Sequence, residues 1–199
     1  MGGKMTHDEL REIAAGCQQC NLWHGREKAV FSRGNTDSPL MICGMVPGPD
    51  ENKAGLPFVG RAGQLLDKII DSVDIDNVYI TNLVKCWLKP GLELEKDWID
   101  NCFQYVIAEI FMIKPRVIIT LGLPASITLM GLPADTKMGK IRGSVHHYST
   151  CEMTPTIEIV PTYHPSYLLR GGGEKHERYQ SVIEDFELAE YIVRTGAIQ

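Results

Sequence analysis

The sequence predicts an α/β fold: a three-layer α/β/α sandwich around a central, mostly parallel four-stranded sheet. Three observations lead there. Short apolar runs alternate with amphipathic helical segments along the chain. The run Arg116-Val-Ile-Ile-Thr-Leu121 is almost wholly apolar after its first residue, as a parallel strand buried on both faces should be. The segments richest in Gly, Pro, Asn and His fall at or just after the predicted strand ends, where open α/β sheets place their sites.

Taken in order, Asp8 to Ala15 reads as a short helix with Thr6 as its N-cap. Pro39 to Cys43 is a short apolar run stopped by Gly44, a buried strand entering a loop. Gly60 to Val73 carries Leu65, Leu66, Ile69 and Ile70 at helical spacing. Asn77 to Val84 is the second strand. Asp97 to Ile113 is a helix with Ile99, Phe103, Val106, Ile107 and Ile110 on one side. Arg116 to Leu121 is the third strand, Pro124 to Met130 a short helix, and Thr156 to Val160 the fourth strand. Glu174 to Thr195 closes the chain as a long helix.

The 199 residues read as one domain, with residues 1–6 a flexible tail or an expression remnant. The chain is 44% hydrophobic and its net charge is −5, so non-specific coating of nucleic acid is disfavoured while a local basic groove is not. No apolar run approaches the roughly 18 residues of a membrane span. Six cysteines are too few for a disulfide scaffold in a chain of this length. The expectation is a monomer without membrane contact, cytoplasmic or nucleoid-associated.

Four of those cysteines form a split set: Cys17-Gln-Gln-Cys20 near the N-terminus, then Cys86 and Cys102. A C-x2-C pair can wrap one side of a metal centre, and two further thiolates close it. The set fits structural zinc or a [4Fe–4S] cluster, and spacing does not choose between them. Cys43 and Cys151 are left as buried free thiols.

The loop Gly44 to Gly63 is rich in Gly and Pro and presents Phe58, whose ring suits a flat base. Asn82, at a strand end, offers a donor and an acceptor together, as needed to read a pyrimidine edge. After the fourth strand comes His164-Pro-Ser-Tyr-Leu-Leu-Arg-Gly-Gly-Gly173. There His164 would stabilise an oxyanion, Leu168 and Leu169 would be apolar wedges, and Arg170, with Ser166 and the glycines, would meet phosphate. Lys140 and Arg142, with His146-His147 beyond them, read as a basic loop that touches DNA or a solvated turn.

Together these residues resemble the uracil-DNA glycosylase superfamily, in its iron–sulfur branch, family 4. The resemblance spans about residues 8 to 192. It rests on Cys17-x2-Cys20, the Gly-x-x-Pro-Gly loop with Gly55-x-Pro-Phe-Val-Gly-Arg-Ala-Gly63, Thr81-Asn-x-Val-Lys-Cys86, Cys102, Lys114-Pro-Arg, Leu121-Gly, Arg142-Gly and His164-Pro-Ser. It implies a glycosylase that flips a base from single- or double-stranded DNA and hydrolyses its N-glycosidic bond. It further implies that Cys17, Cys20, Cys86 and Cys102 hold a [4Fe–4S] cluster, with zinc the minor alternative. Phe58 would stack on the flipped base, Asn82 read its edge and His164 stabilise the leaving anion. Arg142, Ser166, Leu168, Leu169 and Arg170 would contact DNA.

One departure stands out. The family typically carries Gly-Glu-(Ala or Gly)-Pro-Gly in the first loop, and this chain has Gly44-Met-Val-Pro-Gly48. Met45 replaces the acid, and Met45 with Val46 would form an apolar floor for the base. Glu51 then becomes the candidate for activating or orienting water. Uracil is the default target. A modified pyrimidine, such as a decorated cytosine of phage DNA in a defence role, is one alternative. A catalytically weak DNA-binding module serving a replication or repair partner is another.

Overall fold

A computed structural model describes residues 5–148 and 156–196; Cys151 lies outside them. The sheet has six strands in the order β1-β3-β2-β4-β6-β5. The four inner strands are β3 (Tyr79–Asn82), β2 (Leu40–Gly44), β4 (Val117–Leu121) and β6 (Ile157–Thr162), all parallel. These are the four strands expected from sequence. Short antiparallel strands, β1 (Ser32–Gly34) and β5 (His146–Tyr148), cover the two edges and were not anticipated. β5 takes up His146 and His147, expected in a loop. His147 pairs with Glu158 at 2.7 Å across the ladder.

The helices are α1 (His7–Gly16), α2 (Pro49–Ala54), α3 (Arg61–Ser72), α4 (Lys96–Ile113), α5 (Leu123–Met130), α6 (Met138–Ile141), α7 (Pro165–Arg170) and α8 (Tyr179–Thr195). Thr6 caps α1 in a reciprocal box with Glu9, as its sequence predicts. The last helix begins at Tyr179 rather than Glu174, because the glycine run ends in a separate 3-10 turn, Gly173–Lys175.

Two core layers flank the sheet. On one face Ile42, Ile80, Ile119 and Val160 meet Leu66 and Ile69 of α3 and Phe186 of α8. On the other, Met41, Cys43, Ile118 and Ile159 meet Val106 and Ile110 of α4 and Leu129 of α5. Alternate residues of one strand thus serve opposite layers. A third cluster, Leu10, Leu22, Phe31, Trp98 and Tyr105, packs around Cys86 and Cys102.

One buried ion pair crosses this frame. Lys85 and Glu109 are 1% and 0% exposed, and Lys85 Nζ lies 2.6 Å from Glu109 Oε2. The pair survives burial because its remaining bonding capacity is met. Lys85 also donates to Thr81 Oγ1 at 2.6 Å and to the Asn82 carbonyl at 2.9 Å, while Glu109 accepts from Tyr79 and Thr81. The end of β3 is therefore rigidly held. Among the described residues no helix is long and apolar enough to cross a membrane.

Candidate active site

The carboxyl ends of β2, β3 and β6 bring Gly44, Asn82 and His164 together, with Phe58 arriving from the loop between α2 and α3. Gly44 separates Asn82 from Phe58. A side chain there would overlap Asn82 Oδ1, and its Cβ would lie 2.6 Å from Phe58 Cζ. Glycine lets both side chains press close to the backbone here. Asn82 is 2% exposed, and its Oδ1 has no hydrogen-bond partner among the described residues. A buried orphan acceptor costs about 1–3 kcal/mol, so it marks a place where a ligand completes the bond.

Phe58 stands in the left-handed region at φ 53°, a conformation that a bulky residue holds only when its surroundings impose it. Two side chains do so. Glu51 Oε1 accepts from the backbone N–H groups of Val59 and Gly60 at 2.9 and 2.8 Å. Arg33, on edge strand β1, donates to the Pro57 carbonyl at 3.0 Å and the Phe58 carbonyl at 3.4 Å, and is itself paired with Asp67. Arg33 had no signal in the sequence, since a single Arg on a three-residue edge strand stands out in no pattern. Glu51 is buried, with Oε1 occupied and Oε2 facing Gly48.

His164 is the N-cap of α7, and its ring centroid lies 5.8 Å from that of Phe58. Its Nδ1 accepts from the Ser166 N–H at 3.0 Å, and Ser166 Oγ lies 2.8 Å from the same atom. Nδ1 is thus an acceptor, and the proton of the neutral ring sits on Nε2. Burial, reinforced by the Arg170 cation and partly opposed by Glu51, pulls the imidazole down to about 4. At neutral pH the site presents an uncharged N–H donor.

Several sequence expectations change. Leu168 is fully buried in the core beside Leu65, Leu66 and Val182. Drawing it out as a wedge would forfeit the roughly 2 kcal/mol that burial of a leucine contributes. Leu169 is only partly buried against the same core, and Arg170 is exposed. Arg142 is not a free DNA contact. Its guanidinium donates to both carboxylate oxygens of Asp185 at 3.0 and 2.6 Å and to the Ser181 carbonyl at 2.7 Å. Ser166 turns its polar groups to His164. Met45 and Val46 pack into the second and third core clusters, neither of which contains Phe58. The alternation of β2 carries Met45 to the opposite layer, and the surface facing the ring is the backbone of Gly44.

Cys17, Cys20, Cys86 and Cys102 line one cavity with Trp23, Arg26, Asn101 and Tyr105. Arg26 donates to Cys86 Sγ and the Lys85 backbone N–H to Cys102 Sγ, each at 3.3 Å. Burial pushes the Cys86 thiol up and the Cys102 thiol up to about 11. Among the described residues no three His, Cys, Asp or Glu side chains converge closely enough to hold a single metal ion.

Comparison with known proteins places the chain in a family. The model of the uracil DNA glycosylase superfamily matches residues 31–187. A type-4 uracil-DNA glycosylase of Saccharolobus solfataricus is 37% identical over 168 residues, covering 81% of this chain and 74% of that protein. One from Pyrobaculum aerophilum is 36% identical over 171 residues, 83% of this chain and 86% of its own length. One from Thermotoga maritima is 33% identical over 195 residues, 95% of this chain and 97% of that protein. The family model spans most of the chain and these relatives match it over most of their own length: the chain belongs to the uracil DNA glycosylase superfamily, alongside its type-4 members.

Proposed function

We propose that this protein is a uracil-DNA glycosylase, a hydrolase that cleaves the N-glycosidic bond of a base extruded from DNA. The observation that carries the reading is the orphaned Oδ1 of Asn82, aimed across Gly44 at the Phe58 ring. A uracil stacked on Phe58 supplies the missing donor through its N3–H, while the Asn82 amide N–H donates to the adjacent carbonyl. The target must leave the duplex, because its bond is inaccessible within the stack.

As the C1′–N1 bond breaks, its electron pair stays on the base and positive character builds on the sugar. His164 Nε2–H stabilises the developing oxyanion, and its donor form is already set by Ser166. Water then adds at C1′, its surplus proton passes through solvent to the departing uracil anion, and an abasic site is left. Glu51 acts first by holding the Phe58 loop, and its Oε2 is the group left to orient the water.

Cys17, Cys20, Cys86 and Cys102 suit a [4Fe–4S] cluster, which would supply a structural cross-link between the end of α1, the segment after β3, and α4. The four thiols share one cavity, and N–H donors meet Cys86 and Cys102, as the sulfurs of such a cluster require.

The test is base excision by anaerobically purified protein on single- and double-stranded oligonucleotides carrying uracil. Abasic sites that are lost in Asn82→Ala and His164→Ala support the proposal. Intact uracil under all conditions overturns it. Because Met45 stands where family 4 carries an acid, DNA with modified cytosines belongs in the same panel, and cleavage of that DNA alone would replace uracil as the target.

A further inference from the structure

With Leu168 locked in the core, the α7 helix offers a different side chain to DNA. Tyr167 is 37% exposed, one of the few large apolar side chains left on the surface. It follows His164 by one turn, and its N–H donates to the His164 carbonyl at 2.9 Å. Its ring does not stand alone. Tyr163 stacks nearly parallel to it, with centroids 5.3 Å apart and planes at 23°. His176 adjoins it at 4.8 Å. The Arg170 guanidinium lies 5.8 Å from the Tyr167 centroid.

This assembly is stiff. Tyr163 packs partly buried against the main core. His176 is held by an Arg178 N–H that donates to its Nδ1 at 2.9 Å. The chain can bring His176 that close only because residue 171 is glycine, since a Cβ there would overlap the imidazole ring. Arg170 sits against the platform, and its guanidinium is the cation nearest the Tyr167 ring. An aromatic cluster with an adjoining guanidinium matches a nucleobase joined to its phosphate, and such stacking is indifferent to sequence.

We propose that Tyr167, backed by Tyr163 and His176, is the surface on which a DNA base next to the extruded nucleotide stacks. The proposal rests on the glycosylase reading, because extrusion is what leaves the neighbouring base with an open face. An aromatic ring beside the pocket then fills the role that sequence had given to Leu168.

The experiment uses an oligonucleotide with a tetrahydrofuran abasic analogue, so that no excision is required. 2-Aminopurine is placed on its 5′ or its 3′ side. Wild-type protein with its cysteine site intact should quench the fluorophore on one side. Tyr167→Ala should lose that quenching and bind on the order of tenfold more weakly at fixed salt. Tyr167→Trp should restore both, and equal far-ultraviolet dichroism of the variants would show that the fold is unchanged. Unaltered quenching and affinity in Tyr167→Ala, or no binding of this oligonucleotide by wild type, would overturn the proposal. Normal stacking in a protein that leaves uracil intact would support the platform and count against uracil excision instead.

Discussion

The backbone N–H of Ser166 lies 3.0 Å from Nδ1 of His164, and a backbone amide can only donate. One loop amide thereby decides which nitrogen of the imidazole faces the pocket. With the ring pulled down to about 4, chiefly by burial, His164 stays neutral through the physiological range. The rate of excision should therefore show no inflection near 6.5, and a decline should set in only toward 4, where protonated Nδ1 would confront the Ser166 donor. The unfolded chain takes up this proton near 6.5 and the native state near 4. The group's contribution to stability is thus complete above 6.5 and is lost as pH falls through that interval. A pH–rate profile with a step near 6.5 would contradict this. His164→Ala should lower kcat by about 10²–10³-fold, the range for losing one oxyanion donor.

Asn82 carries its cost in the free protein. Replacing it by Ala removes an unsatisfied acceptor as well as a base contact. Excision efficiency should drop by roughly 10–100-fold, while the thermal midpoint should stay level or rise. A marked fall in the midpoint would mean that the amide serves the fold.

Glu51 separates two roles cleanly. If it holds the Phe58 loop through Oε1, Glu51→Gln keeps an acceptor for Val59 and Gly60 and should retain activity within about tenfold, whereas Glu51→Ala should lose on the order of 10²-fold, as misplacement of a substrate-positioning group does. If its charge activates water, both variants should be equally poor. Arg33→Ala, acting on the same loop from the other side, should resemble Glu51→Ala in raising KM.

Arg142 is expected to matter for stability rather than DNA affinity. Removing it strands Asp185, which is 0% exposed, and should cost about 3–5 kcal/mol in urea unfolding. The slope of DNA affinity against salt should not change. A shallower slope would restore Arg142 as a phosphate contact.

The cysteine site is checked by colour and metal content. Anaerobic protein should show broad visible absorption and about four irons per chain, both lost in Cys86→Ser. A colourless protein containing one zinc would sink the cluster assignment.

Periodicity made the long elements legible. α3, α4 and the four parallel strands show in their apolar spacing because they bury continuous faces. β1 and β5 have three residues each, too few for a pattern, and the edges of the sheet were missed. Leu168 and Leu169 look interchangeable in sequence. Only the α7 helix, itself concealed by the adjacent glycine run, turns the first inward. Arg142 and Asp185 lie far apart in the chain, so their pairing left no local trace. The candidate residues Phe58, Asn82 and His164 were recognisable because each sits in a distinctive motif, while the groups that hold the Phe58 loop and His164 in place, Arg33 and the Ser166 amide, belong to ordinary surroundings.

The candidate site draws on the ends of three strands and on a loop beside them. Neighbours in the parallel sheet are joined by crossovers, so Gly44, Phe58, Asn82 and His164 meet only after long stretches of chain have closed upon one another. Such contacts form late and together. No nascent fragment ending before β6 can bring these four residues together. Damage to the sheet should therefore extinguish the enzyme outright rather than leave a loosened, less discriminating one that cuts sound bases.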